Sequence, residues 1–205
     1  MKILSVYDSF FMYCIRLWHN LFLQKNIRMK VMIVNGSPRK GNTWRALSLI
    51  AHSLNSSYEV SSFNLYDYFI SGCRNCDACH KKGGYCTQKD DSNKLLQFLV
   101  DSDIVVLGTP VYYWGISAQM KLFIDKFYAV NSLLSESPKR MLVVACGANS
   151  LDDVQYELIG KQFNSIAKYL NWNFTKYIPV SAYNPDDIER QDGLMQQIKN
   201  IGLSL

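Results

Sequence analysis

Short apolar runs alternate with amphipathic helical patterns along most of this 205-residue chain. The first run, residues 31–34, is continuously apolar, as expected for a strand that is buried on both faces. From Leu47 to Leu54, apolar residues recur three and four positions apart, which predicts an amphipathic helix. The same pair of patterns then repeats along the chain. It predicts further strands at 58–65, 104–107, 141–145 and 174–180, and further helices around 95–99, 116–127, 154–170 and 188–201.

Five such units predict an α/β fold in which helices cover both faces of a parallel sheet. Crossovers between parallel strands are right-handed, which leaves few strand orders. The flavodoxin-like, doubly wound order 2-1-3-4-5 suits five strands. In such sheets, ligands bind beyond the carboxyl ends of the strands, where the first and third strands lie side by side. We therefore expect a site in the loops after Asn35, Leu107 and Ala145.

Residues 1–28 differ from the rest of the chain. They are rich in aromatic and aliphatic residues, but Asp8 and Arg16 interrupt the run. A charge near the middle of a membrane-spanning helix costs about 2.5–3.5 kcal/mol, and no small-residue cleavage site of a signal peptide follows. Three interpretations of the segment remain: a membrane-surface helix, an extra helix packed on the domain, or sequence upstream of the true start. Met29 lies directly before the first strand, which favours the third interpretation. We expect a folded domain over residues 29–205 and a cytoplasmic protein.

The distribution of charge argues against a nucleic-acid partner. The formal net charge is +5, and four basic residues and one acidic residue fall within residues 1–28, so only +2 remains for the rest of the chain. A nucleic-acid binder concentrates basic residues along one face of its folded part, and the sequence has no such run. With 48% hydrophobic and 19% charged residues, the composition is that of an ordinary globular domain.

The loop after the first strand has the composition of an anion-binding turn. It reads Gly-Ser-Pro-Arg-Lys-Gly-Asn-Thr over residues 36–43 and leads directly into a helix. Its glycines permit a tight turn, Arg39 and Lys40 supply positive charge, and the free N–H groups of a helix N-terminus attract phosphate. The nucleoside-triphosphate ending Gly-Lys-Ser/Thr and the dinucleotide fingerprint Gly-x-Gly-x-x-Gly are both absent. A phosphate site is the leading interpretation, and a plain helix-capping turn is the alternative.

Three consecutive aromatic residues follow the third strand, in the loop 110–115. Tyr112, Tyr113 and Trp114 come directly after a buried strand, where they would pack a core poorly. A flat conjugated ligand needs an apolar wall, and Tyr and Trp offer one with polar tips. The loop is therefore a candidate wall of a ligand pocket. A surface that contacts a partner subunit is the other interpretation, and the two are compatible.

Four of the six cysteines lie within fourteen residues, inside the long connection 66–91. Their spacing is Cys73-x2-Cys76-x2-Cys79-x6-Cys86. Three cysteines at three-residue spacing can ligate three corners of one iron–sulfur cluster, whereas structural zinc usually draws on two separated Cys-x2-Cys pairs. The leading interpretation is a cluster held by all four cysteines. Zinc, and free thiols or a transient disulfide, are the alternatives.

Together these motifs resemble a known family. The sequence of residues 36–43, and Thr-Pro-Val-Tyr at 109–112 followed by residues 117–126, are similar to the two signatures of the NAD(P)H-dependent FMN reductase family. The similarity covers roughly residues 29–205. The cysteine spacing resembles that of the iron–sulfur flavoproteins, which pair a 4Fe–4S cluster with FMN. One departure is Lys126, where many members have Arg.

The resemblance implies a flavodoxin-like fold, FMN as cofactor, NAD(P)H as electron donor, and a homodimer or dimer-based oligomer. It places the phosphate of FMN in the first loop and the flavin ring along the second, and the loop after the fourth strand completes the pocket. The implied cofactor-binding residues are Ser37, Arg39, Lys40, Gly41, Asn42, Thr43, Pro110, Val111, Tyr112, Tyr113, Trp114, Gly115, Cys146 and Gly147. The implied metal ligands are Cys73, Cys76, Cys79 and Cys86.

Two functions agree with these expectations. The first is an FMN-dependent NAD(P)H oxidoreductase, in which hydride passes to the flavin and electrons go on to a small-molecule or redox-protein acceptor, with or without the cluster. The second is an iron–sulfur flavoprotein that carries electrons between protein partners without catalysis. A flavin-free redox- or metal-sensing module conflicts with the phosphate loop. NADH and NADPH are both compatible with the sequence, no acid–base residue is required, and no membrane partner is expected.

Overall fold

A five-stranded sheet forms the centre of the protein. The computed structural model describes residues 28–54, 56 and 58–204, with side chains through residue 201, so the predicted N-terminal extension lies outside the described residues apart from Arg28. The strands are β1 Met29–Asn35, β2 Tyr58–Asn64, β3 Ile104–Pro110, β4 Arg140–Gly147 and β5 Asn173–Ser181. The helices are α1 Asn42–Ser53, α2 Ala78–Lys81, α3 Ser92–Asp101, α4 Ala118–Asp125, α5 Asn131–Glu136, α6 Val154–Tyr169 and α7 Asp192–Ser204.

The strands are all parallel, and their order is β2-β1-β3-β4-β5. This result confirms the predicted fold class. Among the described residues, no helix is both long and apolar enough to cross a membrane.

Alternate residues of β1 belong to the apolar clusters on opposite faces of the sheet. Met32 and Val34 belong to one cluster, whose helical members come mainly from α3, α4 and α6. Val31 and Ile33 belong to the other, together with residues of α1 and α7. Helices therefore cover both faces, which explains why the central strands are unbroken apolar runs in the sequence.

The sequence pattern missed two short helices and misjudged the extent of two predicted ones. α2 and α5 have four and six residues, too few for a helical repeat of apolar positions to become visible. The expectation of one continuous helix over 188–201 was wrong at its start, because Asp187–Arg190 forms a 3-10 turn and α7 begins only at Asp192. The predicted helix around 116–127 also divides, since α4 ends at Asp125 and a 3-10 segment, Lys126–Val130, continues the chain.

Two glycines bring the loops after β1 and β3 into contact. Gly36 N donates to Gly108 O at 2.7 Å. A Cβ on Gly36 would lie 2.9 Å from Ser117 Oγ, and a Cβ on Gly108 would lie 2.5 Å from Leu47 Cδ1. Both distances are too short for a side chain, so glycine permits the close approach. The packing sets the N-terminal half of α1 against the carboxyl half of β3.

Candidate functional site

Three loops meet at the carboxyl edge of the sheet. β1 pairs with β3 as far as Asn35 opposite Gly108, and β3 pairs with β4 as far as Pro110 opposite Cys146. Val111 N donates to Cys146 O at 2.8 Å, which joins the second loop to the end of β4. The loops that follow these three strands are therefore neighbours, at the place that the sequence predicts.

Asn35 and Ser37 brace the first loop from inside. The Asn35 side chain accepts a hydrogen bond from Ser37 N at 3.0 Å and donates one to Ser37 O at 3.1 Å. Ser37 Oγ donates to Arg39 O at 3.0 Å. Ser37 is therefore buried, whereas Arg39 and Lys40 are exposed at the tip of the loop. The loop therefore exposes two cations at its tip, with Lys40 Nζ 5.6 Å from the centre of the Trp44 ring, while hydrogen bonds hold its own backbone in place.

The N-terminus of α1 lies at the end of the same loop without a side-chain cap. Gly41 occupies the capping position and has no side chain that could accept a hydrogen bond, and the first turn contains no acidic residue. The first N–H groups of a helix have no partner within the helix, and the helix dipole makes this end positive. The structure therefore brings the uncapped helix end and the exposed cations together.

Two of the predicted phosphate ligands contact the protein itself. Asn42 Nδ2 donates to Asn184 O at 2.6 Å, and Asn42 Oδ1 accepts from Ile188 N at 3.1 Å. Asn42 thus ties the connection between β5 and α7 to α1, a role that the sequence does not indicate.

Thr43 is buried and hydrogen-bonds to the Cys146 thiol. This hydrogen bond acts to lower the pKa of Cys146, but burial has the larger effect and raises that pKa to about 12. Burial therefore keeps the Cys146 thiol protonated at neutral pH.

The second loop forms a tight turn with two exposed aromatic residues at its tip. Tyr112 N donates to Gly115 O at 2.9 Å, and Gly115 N donates to Tyr112 O at 3.0 Å. The two central residues, Tyr113 and Trp114, have φ angles of 47° and 59°. Turns of this kind normally use Asn or Gly, because left-handed backbone is strained for bulky residues. Such strain is concentrated at functional sites, and here it presents a Tyr side chain that is 97% exposed.

The third loop reveals a functional candidate that the sequence reasoning missed. Gln155, at the start of α6, is buried, and its Nε2 has no partner in hydrogen-bond geometry among the described residues, although the amide lies beside the Tyr156 hydroxyl. A Cβ on Gly147 would lie 3.0 Å from Gln155 Nε2, Tyr156 OH and Val111 Cγ2. A buried N–H without an acceptor is costly, so the arrangement fits a ligand with a polar acceptor at its edge. A polar residue on the buried face of α6 was the only signal in the sequence.

All four cysteines of the long connection line one pocket. The pocket has about 350 Å³ of empty space, including the part that is open to solvent. Cys79 is buried, Cys86 is half-buried, Cys73 and Cys76 are exposed, and all four are free thiols. In the described part of the chain, no three His, Cys, Asp or Glu side chains converge on a single metal ion. A 4Fe–4S cluster takes four thiolates around its corners rather than at one point, and four cysteines line this pocket.

Left-handed backbone shapes the cysteine pocket. Gly83 and Gly84 have φ angles of 83° and 103°, and Gly84 N donates to Cys79 O at 2.9 Å. Asp77, with φ of 57°, starts the short helix that carries Cys79 and accepts a hydrogen bond from Tyr128 OH at 3.0 Å. The chain thus folds back on itself between the third and fourth cysteines.

A buried ion pair lies beside the pocket. Lys126 Nζ is 2.8 Å from Asp90 Oδ2 and 3.5 Å from Cys86 Sγ. Asp90 also accepts hydrogen bonds from the backbone and side chains of Ser71 and Ser92. Burial acts to raise the pKa of Asp90, but the hydrogen bonds from Lys126, Ser71 and Ser92 together hold it well below its ordinary value. Burial acts to lower the pKa of Lys126, and Asp90 raises it above its ordinary value, so both groups are charged.

Comparison with known proteins agrees with this architecture. The strand order and the helices on both faces give a flavodoxin-like fold. A family model described as NADPH-dependent FMN reductase matches residues 29–166, more than half of the chain. The chain belongs to the NADPH-dependent FMN reductase family.

Individual relatives and solved structures resemble different parts of the chain. An iron-sulfur flavoprotein of Archaeoglobus fulgidus is 40% identical over 99 residues, which are 48% of this chain and 48% of the relative. A Bacillus subtilis protein, named provisionally as an NAD(P)H-dependent FMN-containing oxidoreductase, is 25% identical over 169 residues, which are 79% of this chain and 90% of the relative. The chain thus spans about half the length of the iron-sulfur flavoprotein that it matches. An azoreductase structure from Bacillus anthracis has a TM-score of 0.69 at 14% identity, covering 86% of this chain and 100% of the other, and shows the shared fold.

Proposed function

We propose that the protein is an FMN-dependent NAD(P)H oxidoreductase with its flavin at the carboxyl edge of the sheet. One observation carries the proposal: the uncapped, positive N-terminus of α1 and the exposed aromatic turn 112–115 follow β1 and β3, which are adjacent strands. FMN has a phosphate at one end and a flat ring at the other, and the two loops match those two ends. The family membership and the name of the Bacillus subtilis relative support NAD(P)H as the electron donor.

The first loop holds the phosphate. The N–H groups at the start of α1 donate to phosphate oxygens, and Arg39 supplies a charge-assisted hydrogen bond from the loop tip. Asn35 and Ser37 keep the backbone of the loop in the required shape before the ligand arrives. Asn42 acts from behind, because it fixes the start of α1 to the connection after β5.

The second and third loops hold the ring. Tyr112, Tyr113 and Trp114 form one wall, and Gly147 packs closely against the second loop, since a Cβ there would lie 3.0 Å from Val111 Cγ2. Gln155 Nε2 donates to an acceptor at the polar edge of the ring, which removes the cost of its buried N–H. When bound, FMN supplies the redox chemistry, since it accepts hydride from a nicotinamide and releases electrons singly or in pairs. The protein binds and orients the flavin, and no side chain needs to transfer a proton.

We also propose that Cys73, Cys76, Cys79 and Cys86 hold an iron–sulfur cluster. The shared pocket and the names of the iron-sulfur flavoprotein relatives support this assignment. A cluster at this position gives the protein a one-electron group for an acceptor that is a small molecule or a redox protein. The homodimer, the cytoplasmic location and the domain start at Met29 stay predictions.

A carrier of electrons between protein partners is the second candidate. The exposure of Cys73 and Cys76 favours it, because a cluster bound there would be accessible to a partner protein. The two functions differ in one respect: the enzyme oxidises NAD(P)H steadily in the presence of a small acceptor, and the carrier is reduced only by a protein donor.

The composition of protein purified without oxygen tests these proposals. We expect bound FMN together with iron and sulfide in equal amounts. Cys79→Ala should lose iron and keep FMN, because the phosphate loop is separate from the cysteine pocket. Cys146→Ala, a buried cysteine outside the pocket, should keep its iron. Full flavin loading without iron or sulfide after reconstitution would contradict the cluster, and failure to bind FMN would contradict the oxidoreductase.

A further inference from the structure

Lys126 is fixed in an unusual position for a lysine. Its side chain is 1% exposed, and that of its partner Asp90 is 0% exposed. The four-carbon stem normally lets a lysine ammonium reach water. Here Asp90 holds the ammonium at 2.8 Å, and the same ammonium lies 3.5 Å from Cys86 Sγ. A positive hydrogen-bond donor is therefore held against one of the four cysteine sulfurs, out of water.

A donor in this position has a definite electrostatic effect on a sulfur ligand. Hydrogen bonds to the sulfurs and burial are among the factors that set the reduction potential of an iron–sulfur cluster. Reduction adds one electron and makes the cluster more negative by one charge. A nearby positive charge stabilises that state, and low exposure strengthens the interaction because water does not screen it.

We propose that Lys126 is a positioning residue that raises the reduction potential of the cluster by donating a hydrogen bond to its Cys86 ligand, with Asp90 holding the lysine in place. The inference rests on the proposed cluster. The electron comes from NAD(P)H through the flavin, as in the proposed function, and no proton or ligand is exchanged at Lys126. The lysine thus makes the cluster a better electron acceptor.

The chain offers a matched control for this pair. Lys94 Nζ lies 2.7 Å from Asp91 Oδ1, and Asp91 directly follows Asp90 in the sequence. The Lys94 side chain is 73% exposed, so water and salt screen its charge. Lys94→Met removes the same charge as a change at Lys126 but removes no buried donor to a cysteine.

The test compares cluster content and cluster potential in the full-length protein. Asp90→Asn/Lys126→Met removes the ion pair without leaving a buried charge, and Lys126→Arg retains a charged donor. Iron and sulfide are measured first, and the midpoint potential of the cluster is then followed by electron paramagnetic resonance during a redox titration. The double variant should lower the equilibrium constant for reduction about tenfold, which is a shift of about 59 mV for one electron. Lys126→Arg and Lys94→Met should stay close to the wild-type potential.

Several outcomes would overturn the inference. A double variant with full iron and sulfide and the wild-type potential would show that Lys126 does not act on the cluster. If that variant does not fold, Asp90→Asn/Lys126→Gln keeps a neutral donor and should give a smaller shift in the same direction; an unchanged potential there overturns the inference as well. Loss of iron in both double variants with FMN retained would make Lys126 a structural residue only. Absence of iron and sulfide from the reconstituted wild type would instead overturn the proposed cluster itself.

Discussion

Breaking the buried ion pair between Asp90 and Lys126 is expected to destabilise the whole domain. Lys126→Met leaves the Asp90 carboxylate buried, and among the described residues Ser71 and Ser92 are then its remaining donors. Removal of one partner from a buried pair typically costs about 3–5 kcal/mol, because the remaining charge is uncompensated. Since a domain of this kind is stable by about 5–15 kcal/mol in total, the variant should lose a large part of its free energy of unfolding.

The double variant separates the cost of a buried charge from the value of the pair. Asp90→Asn/Lys126→Met buries no ion, so it should lose clearly less stability than Lys126→Met. Lys94→Met is the control, because it breaks the exposed pair with Asp91 and should cost no more than about 1 kcal/mol. The order of stability should therefore be wild type and Lys94→Met first, then the double variant, then Lys126→Met.

Urea unfolding of metal-free protein at one fixed FMN concentration measures these differences, since a bound ligand would otherwise shift the apparent stability. A Lys126→Met variant within 1 kcal/mol of the wild type, on the order of an exposed pair, would refute the reasoning. So would a double variant that is as unstable as Lys126→Met, because the destabilisation would then not come from an unpaired charge.

The same pair should make stability fall in acid. The pKa of Asp90 is lower in the folded protein than in the unfolded chain, so its contribution is complete above the unfolded value of about 3.9 and is lost as the pH falls towards the folded value. The wild type should therefore lose stability below about pH 4 more steeply than Asp90→Asn/Lys126→Met. Parallel acid profiles for the two proteins would show that Asp90 does not contribute in this way.

Three further predictions concern the flavin site and the domain boundary. Arg39→Ala should weaken FMN binding about ten- to a hundredfold, as expected for loss of a hydrogen bond to a charged group, and leave riboflavin binding nearly unchanged; equal weakening in calorimetric titrations would place Arg39 away from the phosphate. Tyr113→Gly should raise the free energy of unfolding of flavin-free protein by about 1 kcal/mol, because the φ of 47° suits glycine, and should weaken flavin binding; lower stability in urea would contradict the strain. Deletion of residues 1–28 should leave folding and FMN content intact, and an insoluble or flavin-free product would show that the segment belongs to the domain.

The sheet could be predicted from local sequence patterns, because each buried strand is recognisable from its own run of apolar residues. The run 104–107 is apolar throughout, and a strand buried on both faces needs no other information to be recognised. The strand order then follows from the handedness of crossovers, and the order places the loops of the site. The short helix α5 carries no such periodicity and was not predicted.

Contacts between residues that are far apart in the sequence could not be predicted from local patterns. Asp90 and Lys126 are 36 positions apart, and each by itself is typical of a solvated charge. Gln155 becomes notable only when α6 is packed against Gly147. The Asn42 amide could donate a hydrogen bond to a phosphate. In the structure it donates to Asn184 O instead, which depends on the path of the chain after β5. In each case the role is set by tertiary packing rather than by neighbours in the sequence.

Reduction of the bound flavin by NADPH or NADH tests the central claim most directly. Protein purified without oxygen and loaded with FMN is titrated anaerobically with each nucleotide while the flavin absorbance is recorded. We expect the oxidised flavin spectrum to bleach with at least one nucleotide and to return when a quinone or another small acceptor is added. A flavin that stays oxidised with both nucleotides, yet is reduced by dithionite, would contradict an NAD(P)H oxidoreductase and favour the electron carrier.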